Sequence, residues 1–268
     1  MFILPNSVVG AEIEPDEQQV DARWLMAYNA ALGELSSEPH PLFPVCYEWP
    51  ATRRLRERAG LAPLDARLVH AQHDLTIHRT PAAEKLRVSG KVVAAIQRRP
   101  GVLVVFRFTA QGENGERVTT TDFSALYRDV TLDGGDRTIA SLEDPPRHER
   151  KLEDLGEIPV PATAAHVYTE CARIFNPIHT DVAYARAAGL PDIILHGTAT
   201  LALSVSKMRE SLRINSTSIR GVRCRFTGVV TMPNTLTVHA SRDGDDIAFE
   251  TRNAAGQAVV ERGWVKLG

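Results

Sequence analysis

The sequence predicts an α+β fold made from one unit used twice, each unit an antiparallel sheet curled around a helix. Three observations support this. The first is an internal repeat. F-T-A-Q-G-E-N-G-E-R-V-T-T-T-D-F-S-A-L (108–126) and F-E-T-R-N-A-A-G-Q-A-V-V-E-R-G-W-V-K-L (249–267) agree at fixed offsets. Phe108 and Phe249 each lie seven residues before a turn glycine, Gly115 and Gly256. Val118 and Val259 follow those glycines by three, Phe123 and Trp264 by eight, and Leu126 and Leu267 by eleven. Such self-similarity marks a repeated structural unit. The second observation is a charged, Pro/Gly-bearing stretch over 133–160, which reads as a linker. The third is one strongly apolar helix, beginning near Gly197 and followed by alternating strands.

The elements follow in order. R-W-L-M-A-Y-N-A-A-L-G (23–33) fits a short peripheral helix closed by Gly33. Region 36–65 is rich in proline and offers no apolar helix comparable to the one at 197. W-P-A-T-R-R-L-R-E-R-A-G-L (49–61) suits a basic, polar helix capped near Gly60. This half therefore reads as a degenerate copy. L-V-H-A-Q-H-D-L-T-I-H-R (68–79) reads as a strand; strict alternation puts His70, Asp74 and His78 on one face and His73 on the other. That split argues against a shared metal site. L-R-V-S-G-K-V (86–92) alternates as a further strand, and 108–126 forms two strands around the turn at E-N-G. In the second half, Leu201, Val205, Met208 and Leu212 recur at helical spacing, and small residues fill the other sides through Ser206. A helix apolar around its circumference is buried. Strands follow at 219–230, 236–242, 246–252 and 258–267. The expected division is 1–132, a linker at 133–160, and 161–268.

Composition narrows the function. The 268 residues are 43% apolar and 24% charged, with a net charge of −2. That balance gives no electrostatic case for nucleic acid. No apolar run approaches the roughly 18 residues of a membrane span. The start lacks a basic region and meets Pro5 early, unlike a signal peptide. Three widely spaced cysteines argue against a disulfide framework or zinc site, and reduced thiols fit a cytoplasmic location. No P-loop, G-x-G-x-x-G or G-x-S-x-G motif occurs.

Two short segments carry chemistry. In N-P-I-H (176–179), Pro177 fixes its own φ and restricts Asn176, so the turn presents the amide and the His179 imidazole rigidly. An imidazole titrates near neutrality and suits proton transfer. In L-H-G (195–197), Gly197 opens the apolar helix. Its unpaired N–H and open backbone suit a carbonyl oxygen gaining charge.

Together these segments resemble the signature of MaoC-like, (R)-specific enoyl-CoA hydratases, which runs S-G-D-x-N-P-[LI]-H-x-D, then A-x-x-A-G, then P-I-[LV]-H-G. Asn176, Pro177, Ile178, His179, Asp181, Ala185, Ala188, Gly189, Leu195, His196 and Gly197 fall on it. The first half resembles the non-catalytic repeat of the two-repeat members. The resemblance implies a double hotdog fold, with two antiparallel sheets each wrapped on a helix and an acyl-CoA thioester held between the halves. It implies syn addition of water to a 2-enoyl-CoA, or the reverse dehydration of a 3-hydroxyacyl-CoA. It assigns His179 to proton transfer, Asn176 to orienting the water or the histidine, and the Gly197 N–H to the thioester oxygen. It implies no cofactor besides the CoA thioester substrate and no metal, and related proteins pair as homodimers or hetero-oligomers. Ile174, Phe175 and His196 are the expected substrate-binding neighbours of the motif. Arg223 is a candidate for a CoA phosphate, set against an ordinary solvated strand face.

One position departs from the pattern. The family aspartate lies two residues before the asparagine, where this chain has Ile174. Isoleucine neither accepts a proton nor binds water. Three readings stand. His179 acts alone or with a carboxylate from elsewhere, Glu170 and Asp181 being nearest in sequence, although Asp181 reads better as a helix cap. Alternatively the chain is a non-catalytic acyl-CoA-binding or partner subunit. The third reading is a related thioester reaction needing one base, such as that of a thioesterase.

Overall fold

A computed structural model describes residues 2–268. The N-terminal repeat runs β1 (Phe2–Pro5), β2 (Glu12–Gln19), α1 (Ala22–Ala31), α2 (Pro44–Arg58), β3 (Leu68–Ile77), β4 (Lys85–Arg98), β5 (Gly101–Gln111) and β6 (Arg117–Arg128). Two short strands follow, β7 (Val130–Asp133) and β8 (Arg137–Thr138). The C-terminal repeat runs β9 (Glu153–Val160), α3 (Ala164–Ala172), α4 (Val182–Ala187), α5 (Gly197–Leu212), β10 (Ile219–Phe226), β11 (Asn234–Asp243), β12 (Asp246–Arg252) and β13 (Ala258–Leu267).

The repeats share one strand order. The first reads β2-β4-β5-β6-β3, and the second continues β10-β13-β12-β11-β9. The order is therefore a palindrome about the β3·β10 pair, where Leu75 faces Val222 and His73 faces Cys224. The two expected sheets are both present, and backbone hydrogen bonds between β3 and β10 join them edge to edge into one. An edge strand left bare would expose a ladder of unpaired N–H and C=O groups, and each repeat covers the other's. On the helical side, α1 meets α3 across the same axis. The Tyr28 and Tyr168 hydroxyls lie 3.2 Å apart, and Trp24 Nε1 donates to the Cys171 carbonyl.

Each long helix packs on its own half-sheet, α2 against β4 and β2, and α5 against β9 and β11. Leu201, Ala202, Val205 and Met208 of α5 are buried, as their spacing predicts. Full burial of such a side chain stabilises by roughly 1.5–3 kcal/mol. The expectation of a merely polar helix near 49–61 is overturned. Helix α2 starts earlier, at Pro44 in its first turn, where the missing N–H costs nothing. Val45, Cys46, Tyr47, Ala51 and Leu55 give it a buried face. The repeat motif also has a packing reason. Phe108 on β5 lies over Gly90 of β4, and Phe249 on β12 lies over Gly263 of β13, at 2.8 and 2.6 Å from where a Cβ would stand. Each phenylalanine occupies the space a neighbouring strand leaves by using glycine.

The linker is shorter than its composition predicts. Residues 153–160 form β9, paired with β11 from Asn234–Val160 to Ala240–Glu153. Strand β9 lies at the sheet edge, with half its residues exposed. A solvated edge strand tolerates the charge that makes this stretch look like a linker.

Candidate active site

The N-P-I-H turn folds as its chemistry requires. Asn176 has extended backbone angles, its side-chain oxygen accepts from Ile178 N at 3.4 Å, and its carbonyl accepts from His179 N at 3.1 Å. Pro177 takes the first position of the short helical turn. This places His179 against residues 194–196, with only 8% of it exposed. Its Nδ1 lies 2.8 Å from the Ile194 carbonyl. A carbonyl only accepts, so Nδ1 carries the proton and Nε2 keeps a free lone pair. Burial lowers the His179 pKa to about 4, with the Ile194 carbonyl partly opposing the shift. At neutral pH the ring is an uncharged base.

His196 precedes the first residue of α5 and stacks on His179, with ring centroids 3.5 Å apart and planes at 22°. Its Nε2 lies 3.3 Å from Thr169 Oγ1 and 3.4 Å from the Ile174 carbonyl. Burial, then the adjacent His179, holds it uncharged. His196 therefore positions the His179 ring face and ties the motif loop to α3. The segment between them is pinned too: Leu195 N donates to the Val230 carbonyl at 2.8 Å.

Gly197 opens α5, so its N–H has no acceptor within the helix. A Cβ there would stand 3.3 Å from the Phe226 ring. A side chain there would crowd that ring, so glycine leaves room beside the N–H next to an apolar neighbour.

His179, Asn176, Gly197, His196 and Ile174 all line one cavity of about 350 Å³. That volume suits a small organic ligand. The cavity is shared between the repeats, its other end lined by α2, β3 and β6. Two expected neighbours are absent from its wall. Phe175 is 55% exposed. The Arg223 guanidinium is bound to Asp74 at 2.9 Å and to Glu143, and it sits over the Trp264 ring. An arginine held by two carboxylates is not free to meet a phosphate.

The carboxylates nearest in sequence are also elsewhere. Glu170 lies exposed on α3, and Asp181 caps α4 by accepting from Tyr184 N at 3.0 Å. The carboxyl groups that do line the cavity, Glu48 and Asp65, come from the N-terminal repeat. Sequence reasoning missed Glu48 because the start of α2 was hidden among prolines. It also misplaced the β3 histidines. A register shift between His70 and Gln72 breaks the alternation, so His70 and His73 face the same cavity with ring centroids 5.5 Å apart. A bulge of this kind carries no local sequence signal.

Residues 144–262 match the family described as MaoC like domain. This segment of the chain resembles a MaoC like domain. The chain is 35% identical over 137 residues to the enoyl-CoA hydratase ChsH3 of Mycobacterium tuberculosis, covering 51% of this chain and 47% of that one. It is 23% identical over 217 residues to peroxisomal multifunctional enzyme type 2 of Mus musculus, covering 80% of this chain and 29% of that one. The chain thus spans less than half the length of these curated relatives. Its fold resembles that of a MaoC-like dehydratase from Phytophthora capsici, with a TM-score of 0.80 at 16% identity over 97% of this chain and 96% of that one. It also resembles a Mycobacterium tuberculosis protein solved as a double hotdog, with a TM-score of 0.61 at 14% identity over 97% and 95% of the two chains. The fold of this chain is a double hotdog. Among the described residues, no helix is long and apolar enough to cross a membrane.

Proposed function

We propose that this MaoC-like protein hydrates a 2-enoyl-CoA thioester, or dehydrates the corresponding 3-hydroxyacyl thioester, using His179 as its single acid–base group. The observation that carries the reading is the convergence of the His179 ring and the Gly197 backbone on one largely apolar cavity. The thioester oxygen would sit at the Gly197 N–H, and Asn176 would hold the water. His179 Nε2 takes a proton from that water as its oxygen bonds to C3. The π electrons move toward the thioester, whose oxygen gains charge at the helix N-terminus. The enolate then takes the same proton back from the imidazolium at C2. One base serving both steps delivers hydroxyl and proton from one side, which is syn addition. A low imidazolium pKa favours the second step and slows the first.

The test is loss of enoyl absorbance when purified protein is mixed with crotonyl-CoA and longer 2-enoyl-CoAs. Hydration should occur and should vanish in His179→Ala, while binding of a saturated acyl-CoA survives. One observation favours a second reading. Ile174, 5% exposed, puts a hydrocarbon where the family pattern has an aspartate. A binding or partner subunit would keep the cavity and show ligand binding without turnover.

A further inference from the structure

The cavity has a polar end that the proposed chemistry leaves unused. Helix α2 lays Glu48, Thr52 and Arg56 along one buried stripe at four-residue spacing, all lining the cavity. Two of the three are occupied: Arg56 Nε donates to Asp65 at 3.1 Å, and the Thr52 hydroxyl donates to the Glu48 carbonyl at 2.9 Å. Glu48 is only half satisfied. Its Oε1 accepts from Thr121 Oγ1 at 2.6 Å, and its other carboxyl oxygen has no partner among the described residues.

Opposite stands His73, turned into the cavity by the irregularity in β3. It is 1% exposed, and neither ring nitrogen has a partner. The Trp49 Nε1, one residue beyond Glu48, is also buried and unpartnered. Strand β6 draws the set together, because Thr121 and Phe123 lie two apart on one face and Phe123 pairs with His73. Burial holds Glu48 protonated at neutral pH, with a pKa of about 8, and holds His73 uncharged, with a pKa of about 4. The cluster is therefore a neutral mixture of donors and acceptors. Leaving such groups unmatched in a buried site is costly, and a plain alkyl chain cannot match them. Arg56, the cation on the same helix stripe, is committed to Asp65, and Arg128, which also lines the cavity, is exposed to solvent. A neutral oxygen fits.

Resting on the thioester reading of the His179 end, we infer that the acyl group carries a hydroxyl or keto oxygen at its far end, bound by Glu48, His73 and Trp49 in the N-terminal repeat. A site built to hydrogen-bond a substrate oxygen discriminates strongly against the analogue that lacks it.

The experiment is calorimetric titration of the full chain with saturated CoA thioesters from octanoyl to dodecanoyl, each compared with its ω-hydroxy and (ω−1)-keto counterparts. At the matching length an oxygenated ligand should bind at least about tenfold more tightly than the alkyl one. Glu48→Gln, which keeps a neutral hydrogen-bonding group, should retain the preference, and Glu48→Leu should abolish it. Equal affinities at every length, or no binding of any of them, would overturn the inference; that comparison needs only the wild-type chain. Crotonyl-CoA turnover by the same preparation separates the two readings. Hydration without an oxygen preference sinks this inference alone. A preference without hydration sinks the hydratase alone.

Discussion

Lowering the pH from 7 to 5 should remove much of this protein's stability, because its interior holds neutral histidines. His40, His73 and His179 have pKa values lowered to about 3, about 4 and about 4 by burial. His70 and His196 are lowered too, for the same reason. In the unfolded chain each returns to roughly 6.5. At pH 5 unfolding therefore takes up about five protons on imidazoles. Two carboxyls work the other way. Burial raises Glu48 to about 8 and Asp74 to about 6, so the folded state holds protons there that the unfolded chain has largely released. The net uptake is about three protons, a slope of about 4 kcal/mol per pH unit. The sign follows: a depressed histidine loses its contribution as pH falls below 6.5, whereas a raised carboxyl loses its contribution as pH rises through its folded value. Summed from pH 7 to 5, the loss is roughly 6 kcal/mol, against a typical total of about 5–15 kcal/mol. Urea unfolding followed by circular dichroism at half-unit pH steps measures it. The midpoint should fall steeply below pH 6.5, with His73→Gln flattening the slope by one proton and Glu48→Gln steepening it by one. A midpoint that stays constant or rises from pH 7 to 5 would refute the reasoning.

Three further outcomes are expected. If His179 is the base, kcat/KM for enoyl hydration should show no limb near pH 6.5 and should hold level from neutral pH down to the onset of acid unfolding, and His179→Ala should lower it by about 10²–10⁴-fold without weakening binding of a saturated acyl-CoA. Ile174→Asp restores a carboxylate at the motif position. A rise in hydration rate would mark the present site as a hydratase lacking one group, and a sharp fall would show that the apolar wall is itself required. Gly263→Ala should cost about 1–3 kcal/mol, read as a lowered thermal midpoint, because its Cβ would stand 2.6 Å from the Phe249 ring.

Much of the fold was legible because its signals are local. The turn glycines Gly115 and Gly256 define two hairpins, and the apolar spacing from Gly197 to Leu212 defines the buried helix. The N-P-I-H and L-H-G segments likewise name their own chemistry. What failed depended on neighbours distant in sequence. Phe175 and Arg223 sit beside the right residues, yet the first turns to solvent and the second is claimed by Asp74 and Glu143, remote along the chain.

The sequence by itself determined the repeat, the periodicity of its strands and the rigid turn that carries His179, since these follow from dihedral preference and apolar spacing. Tertiary structure alone decided which tautomer His179 takes, that β3 and β10 join into one sheet, and that Glu48 and His73 share its cavity. Those outcomes depend on contacts between residues far apart in the chain and on a one-residue shift in β3, which reverses the face of every side chain beyond it.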